Sequence, residues 1–306
     1  MAEPAAAAAA ALYAEARARG ALLDLGTRAR WRLAGADRIR YLNGQVTNDV
    51  RHIPPGTAIP ACVTTAKGRL CGVIFVSAGP DFLRIDAEGE LREPLAQRLE
   101  RYIIADDAEL RDVTGEECHF HLAGAPRPEE ISGAEIIAAT RLGHPGFDIL
   151  APAARREAIL AALGHAALIP PALEEALRIE AGIPRWGAEL DEETLPAEAG
   201  LDAAAIDFHK GCYIGQEVIS RIKSVGHVNR RLTGFTASAP LAAGMTLHAE
   251  SGAEAGRLTS AAWSFGLESW AALGYLKRGS AAATLHARSA DGAATEVKIR
   301  DLPLVP

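Results

Sequence analysis

The chain of 306 residues has no Cys-x-x-Cys pair and no short His/Cys cluster; its 4 cysteines, Cys62, Cys71, Cys118 and Cys212, are scattered. That spacing gives no support to a zinc site or a resident iron–sulfur cluster, and no metal site is expected. No run of roughly 18 strongly apolar residues occurs, which removes a membrane-spanning helix. No Gly-rich dinucleotide or phosphate loop is present, and no internal repeat. The alanine run at residues 5–11 has no basic residue ahead of it and passes directly into Arg17 and Arg19. It reads as a helical or frayed tail over 1–21 rather than a secretory signal. Reduced thiols in a cytoplasm are then the default. The formal charge is −7 and the pI near 5.8, so no overall positive field draws in a polyanion. Neither nucleic acid nor a membrane is an expected partner.

What remains is the composition of a globular protein, with 49% hydrophobic and 23% charged residues, 29 glycines and 17 prolines. The length suits two or three modules of ~100–150 residues. Short strand-like runs at 31–33, 58–64, 70–77 and 82–86, separated by tight turns, predict antiparallel hairpins. Helices are expected at 37–43 and from Leu91 to Ile103. Strands resume at 109–113, 118–122, 136–140 and 147–151, with another helix at 153–163. Hairpins mixed with helices, without a steady β-α-β alternation, predict an α+β architecture. After Arg230 the pattern is strands alone, at 232–236, 245–249, 256–259, 273–276, 283–287 and 297–299. This is the spacing of a small β-barrel or sandwich of about 75 residues.

Two segments depart from packing logic. In the first, a helix starts near Pro171 and ends at Gly182. Its apolar stripe is Leu173, Ala176 and Leu177, and Glu180 falls on that stripe, so a carboxylate is aimed inward. Either protein donors satisfy it or it receives the paired N–H groups of a ligand. Arg178 lies off the stripe and reads as a solvated helix charge.

The second segment is Lys210-Gly-Cys-Tyr-Ile-Gly-Gln-Glu-Val-Ile-Ser-Arg-Ile222. Gly211 and Gly215 allow unusual backbone shapes, and Ile214, Val218, Ile219 and Ile222 form the apolar face of a helix starting near Gly215. Cys212 then sits at or just before a helix N-terminus, with Lys210 and Arg221 nearby, a setting that favours thiolate. It is either a small residue packed in a tight turn or a functional thiol. A hydrolase would also need a positioned base, for which His209 and His227 are the nearby candidates. Glu217 and Arg221 are spaced for an ordinary helical ion pair. A third cluster, Tyr41-Leu-Asn-Gly-Gln-Val-Thr-Asn-Asp-Val50, is rich in amides; Asn48 and Asp49 either cap local backbone or line a polar cleft.

Together these clusters resemble the YgfZ/GcvT-like folate-binding family, specifically its YgfZ branch, which is linked to iron–sulfur protein maturation. The resemblance is carried by residues 41–50, by Arg178-Ile-Glu-Ala-Gly-Ile-Pro-Arg185, by Asp191-Glu-Glu-Thr-Leu-Pro196 and above all by Lys210-Gly-Cys-Tyr-Ile-Gly-Gln-Glu217. It implies a three-lobed fold with a central channel for tetrahydrofolate or a one-carbon derivative. Two intertwined α+β lobes would span 22–230 and a C-terminal barrel 231–306.

The resemblance places Glu180 where the related aminomethyltransferases pair a carboxylate with the pterin ring, and Cys212 at the branch's signature cysteine. On this reading Lys210 and Cys212 carry the chemistry. Glu180, Asn48, Asp49, Tyr213 and Arg221 face the cofactor, and Gly211, Gly215, Gln216 and Glu217 complete the motif. The implied partners are iron–sulfur client or assembly proteins. A departure weighs against the alternative, a folate-dependent one-carbon transferase or demethylase. Where the aminomethyltransferases place acidic residues just after the Ala66-Lys67-Gly68-Arg69 turn, this chain has Cys71 and Gly72, so a general acid or base is missing there.

Overall fold

The computed structural model describes residues 3–280 and 284–306; Met1 and Ala2 of the tail, and Ala283 of the strand expected at 283–287, lie outside them. The alanine-rich tail is a helix, α1 (Glu3–Arg19), as the high helix propensity of alanine dictates. Then follow β1 (Ala21–Asp24), β2 (Ala29–Ala34), α2 (Arg38–Gln45), β3 (Ala58–Thr64), β4 (Leu70–Ala78), β5 (Phe82–Ala87) and α3 (Arg92–Glu100). The next stretch holds β6 (Glu109–Asp112), β7 (Glu117–Ala123), β8 (Glu135–Thr140), β9 (Pro145–Pro152), α4 (Arg156–Ala162) and β10 (Ala167–Leu168). Three helices come after it: α5 (Pro171–Ala181), α6 (Asp202–Ala205) and α7 (Gln216–Ser224). The chain ends in strands alone: β11 (Arg230–Ala237), β12 (Thr246–His248), β13 (Glu254–Ser264), β14 (Ser269–Lys277), β15 (Thr284–Arg288) and β16 (Ala294–Arg300).

Two compact units result, and they do not follow chain order. One contains the chain up to Tyr13, Pro170–Gly200 and Ile222–Pro306; the other contains Ala14–Ile169 and Leu201–Arg221. The expected division at 230/231 therefore differs from the packing, because residues 170–200 group with the barrel rather than with the preceding α+β region. The α+β class and the C-terminal barrel are as expected.

In the barrel unit, six strands close in the order β11-β14-β13-β12-β15-β16. Its interior is apolar, with Leu247, Leu258, Leu285, Val297 and Phe235 fully buried. Helix α5 starts at Pro171, whose missing N–H costs nothing at N1, and stops at Gly182, which takes φ +71°. Through Ile179 it packs on Leu232, Ala271, Leu273 and Tyr275.

The other unit holds two five-stranded sheets, β10-β1-β7-β9-β8 and β3-β4-β5-β2-β6. Strand β7 shows why one face of the first sheet is oily and the other ionic. With a period of two, Cys118, Phe120 and Leu122 join Leu22, Ile149, Ile159 and Leu163 in a core, each large side chain contributing about 1.5–3 kcal/mol. His119 and His121 point the opposite way, and His121 stands across from Asp148 of β9. There Arg141, just past β8, donates to Asp148 (2.8 and 2.6 Å) and to Asp86 of β5 (3.0 and 2.8 Å), so one guanidinium ties a carboxylate from each sheet. Its centre lies 4.1 Å from the Phe75 ring centroid, and Arg28 bonds to Asp86 from another side. Burial works to raise Asp86 and Asp148, but Arg141 holds both below the usual carboxylate range.

Burial lowers both histidines from their ordinary value of 6.5, against the pull of Asp148 and Asp86 and with the push of Arg141. An unfolded chain takes up these protons first, so their neutral burial is fully favourable above 6.5 and lost progressively below it. Unfolding free energy measured in urea is expected to fall between pH 7 and pH 5 with a slope of up to roughly 1.4 kcal/mol per pH unit for each histidine. His119→Gln should remove about half of that slope; an unchanged slope would show that these histidines do not couple to folding.

Candidate functional site

Segments distant in sequence meet in the two-sheet unit. Helix α2 and the turn after it carry residues 41–50, and the segment between α6 and α7 carries the Lys210 motif. Lys210 is 5% exposed, and its ammonium donates to three backbone carbonyls: Asn43 O (2.7 Å), Val46 O (2.7 Å) and Asn48 O (2.8 Å). Burial pushes Lys210 down to about 8, whereas the three acceptors favour the charged form, since a neutral amine brings only two N–H bonds. Lys210 is therefore a clamp on backbone oxygens. The expectation that it carries chemistry alongside Cys212 is corrected here, because every N–H bond of its ammonium is already taken.

Further along the motif, Ile214 N donates to Gly44 O (3.3 Å) and Thr64 Oγ1 donates to Ile214 O (2.6 Å). Tyr213 is buried and its phenol is pushed up to about 12 by burial; its hydroxyl is buried and has no hydrogen-bond partner among the described residues. Its ring packs with Ile206 and Ile219, and its centroid lies 5.3 Å from Lys210 Nζ. Helix α7 begins at Gln216, places Ile219 inward and leaves Glu217 and Arg221 on the outside. Its Val218 and Ile219 lie against Gly68 in the turn between β3 and β4. Between these anchors Cys212 is a free, exposed thiol, four positions ahead of α7. Cys62 and Cys118 are buried on their strands, whereas Cys71, also on a strand, is half-buried. His209 is exposed on the same segment, while His227 belongs to the other unit.

Asn48 and Asp49 serve the backbone. Asn48 Nδ2 donates to Pro60 O (2.8 Å) and its Oδ1 accepts from Asp49 N (2.9 Å). Asp49 accepts from Arg51 N (2.9 Å) and pairs with the Arg51 guanidinium (2.7 Å), which brings its carboxyl down to about 2. Of the two readings open for this pair, turn formation is the one the structure has.

In the barrel unit, Glu180 is 2% exposed and already has partners: Ser264 Oγ (2.6 Å) and Gly266 N (3.3 Å) donate to Oε1, and Tyr13 Oη (2.9 Å) donates to Oε2. The ring of Tyr13, from α1, also lies against Phe265, tilted by 35° with centroids 5.5 Å apart. Three protein donors surround the carboxylate, so paired pterin N–H groups do not fit it unless Tyr13 leaves. Arg178, expected to be solvated, is instead 5% exposed and bonds to Glu189 (2.8 Å), Glu175 (2.6 Å), Ser260 (2.7 Å) and Ile183 O (2.7 Å). Glu175 is a helical neighbour three positions back, but Ser260 of β13 and Glu189 come from elsewhere in the chain, which no helical pattern reveals. Thr47, Thr64, Tyr13 and Ser264 were missed at the sequence level; only Thr47 lies inside a cluster that drew notice. Among the described residues, no group of three or more His, Cys, Asp or Glu side chains is arranged to hold a metal, and no helix is long and apolar enough to cross a membrane.

Comparison with known proteins fits this arrangement. The glycine cleavage T-protein C-terminal barrel domain family matches residues 230–305. Over 239 residues the chain is 30% identical to the tRNA-modifying protein YgfZ of Sodalis glossinidius, covering 72% of this chain and 73% of that protein. It is 27% identical over 284 residues to a putative chloroplastic transferase of Arabidopsis thaliana, covering 84% of this chain but 65% of that relative, a little under two thirds of its length. The crystal structure of glycine cleavage system aminomethyltransferase T from Bartonella henselae shares the fold at a TM-score of 0.85, over 97% of this chain and 89% of that one, with 17% identity. The chain belongs to the YgfZ/GcvT-like family.

The two motif glycines differ in kind. Gly215 has φ +91°, and a Cβ there would lie 2.6 Å from Thr65 O and 2.7 Å from Thr64 Oγ1. A Cβ on Gly211 would meet no described atom within 4 Å beyond its chain neighbours, and its φ is not positive, so the special backbone expected of both glycines is confined to Gly215. Gly215→Ala is expected to cost about 1–3 kcal/mol in urea unfolding and Gly211→Ala less than about 0.5 kcal/mol. Equal costs would contradict this geometry.

Proposed function

We propose that this chain is a tetrahydrofolate-binding accessory protein that supports assembly, repair or insertion of iron–sulfur clusters in client proteins, acting in the cytoplasm. The observation that carries this reading is the exposed Cys212, suspended between Lys210 and Ile214, which are both fixed to the end of α2. A solvent-facing thiol on a loop anchored at both ends suits transient contact with a cluster or client. Folate binding, to tetrahydrofolate or a one-carbon derivative, rests on family membership. Glu180 does not receive the pterin in the present arrangement, and no chemical step is assigned through the folate. Around Cys212, Tyr213 is a packing residue, and Arg221 with Gln216 and Glu217 lies on the helix that supports the loop.

One-carbon transfer is the weaker reading for a physical reason. Gly72 stands where an acid is wanted, and a Cβ there would meet Leu91 at 2.9 Å and Leu95 at 3.4 Å, an apolar wall that disfavours a carboxylate.

Anaerobic calorimetric titration of tetrahydrofolate, paired with a client activity assay, tests the proposal. The wild type should bind, and Cys212→Ala should bind equally well but fail to support an iron–sulfur client. Full client activity of Cys212→Ala would remove the cysteine from the function, and no binding to the wild type would remove the folate. Tyr13→Phe separates the two fates of Glu180. If the pterin replaces Tyr13, affinity should rise about tenfold in Tyr13→Phe and fall in Glu180→Gln. If the ligand sits elsewhere, both variants bind as the wild type does.

A further inference from the structure

The Lys210 motif contains one group whose purpose the thiol does not explain. Asn43 lies in the last turn of α2 and Val46 directly follows that helix, so the oxygens facing Lys210 include carbonyls at a helix C-terminus, where they carry partial negative charge and lack intrahelical donors. Three acceptors at 2.7, 2.7 and 2.8 Å match the three N–H bonds of one ammonium. The next residue, Gly211, is spatially unconstrained, and Cys212 follows it. Among the described residues no hydrogen bond is made by Gly211 or Cys212; the anchors of the loop are Lys210 on one side and Ile214 on the other.

We propose that Lys210 is the positioning residue of the cysteine loop, its ammonium filling a three-carbonyl cation site at the C-terminal end of α2 and so fixing where Cys212 is presented. The compact, tetrahedral ammonium is what such a site accepts; the planar fork of arginine aims its donors differently. Removing the cation leaves three carbonyl oxygens converging on a space without a donor, which a small alkylammonium can refill. The consequence for function rests on the reading of Cys212 given above, whereas the clamp is measured without reference to activity.

The test uses full-length protein and three variants, Lys210→Ala, Lys210→Met and Lys210→Arg. The readouts are amide hydrogen exchange over residues 211–214 and the alkylation rate of Cys212 by iodoacetamide, resolved by peptide mass. Lys210→Ala should raise loop exchange about tenfold or more. Propylammonium chloride, which replaces the missing atoms, should restore most of the protection, while tetramethylammonium at equal ionic strength should not. Lys210→Arg should remain unprotected under both salts. Lys210→Met keeps the packing of the stem and serves if the alanine variant fails to fold; wild-type loop protection in a folded Lys210→Met would overturn the proposal. So would a loosened Lys210→Ala loop that propylammonium leaves unchanged. In the wild type, acetylation by an N-hydroxysuccinimide ester should modify Lys210 far more slowly than Lys67, and equal rates would refute the clamp. Loosening with propylammonium recovery supports the clamp even if client activity is untouched, and that combination would count against Cys212 as the functional thiol.

Discussion

Arg141 is the interaction on which the two-sheet unit depends. A guanidinium buried between Asp86 and Asp148 is tolerable only because nearly every one of its donors has an oxygen opposite it, and each carboxylate recruits further donors from Arg28 and His121. Breaking such a set leaves unpaired charge in a low dielectric, so the residues facing it on β5, β7 and β9 have little freedom. The alternation of β7 follows from this, with an apolar face toward α4 and two histidines toward the ions. The sheet that Arg141 grips through Asp86 is also the sheet whose β3 end, through Thr64, receives the cysteine loop.

The same economy of donors and acceptors shapes the candidate site. Residues 41–50 contribute mainly backbone: their amide side chains close local turns, and their carbonyls receive Lys210. Thr47 links this cluster to β3 and α6, accepting from Cys62 N (2.9 Å) and donating to Ala205 O (2.6 Å). What reaches solvent at the end of this network is Cys212. In the barrel unit, Glu180 shows the other outcome for a buried carboxylate, an anion enclosed by a tyrosine, a serine and a backbone amide. Any ligand that seeks it must offer donors good enough to replace the tyrosine.

Much of the fold was legible from local pattern. The hairpins of β3, β4 and β5, the helix from Pro171 to the left-handed Gly182, the inward aim of Glu180 and the closing run of barrel strands all follow from period-two or helical spacing and from turn residues. Arg178 was misread for a specific reason. It lies off the stripe of α5, yet Ser260 of β13 and Glu189 come to that flank of the helix and enclose it. Helical periodicity describes which residues share a face, not which faces the rest of the chain covers. Lys210 was misassigned in a similar way, since a basic residue beside a cysteine suggests activation until its bonds to carbonyls more than 160 positions away are known.

The class of fold, most of its elements, the family and the motif around Cys212 are readable from the sequence, because propensity, periodicity and a near gap-free motif are properties of neighbouring residues. Only the tertiary structure decided what the polar side chains do there. Glu180 meets Ser264 and Tyr13, Lys210 meets the end of α2, and Arg141 joins two sheets, each across a long stretch of chain. A buried donor or acceptor is satisfied by whatever the fold brings within hydrogen-bond reach, and that partner is not written in its own neighbourhood.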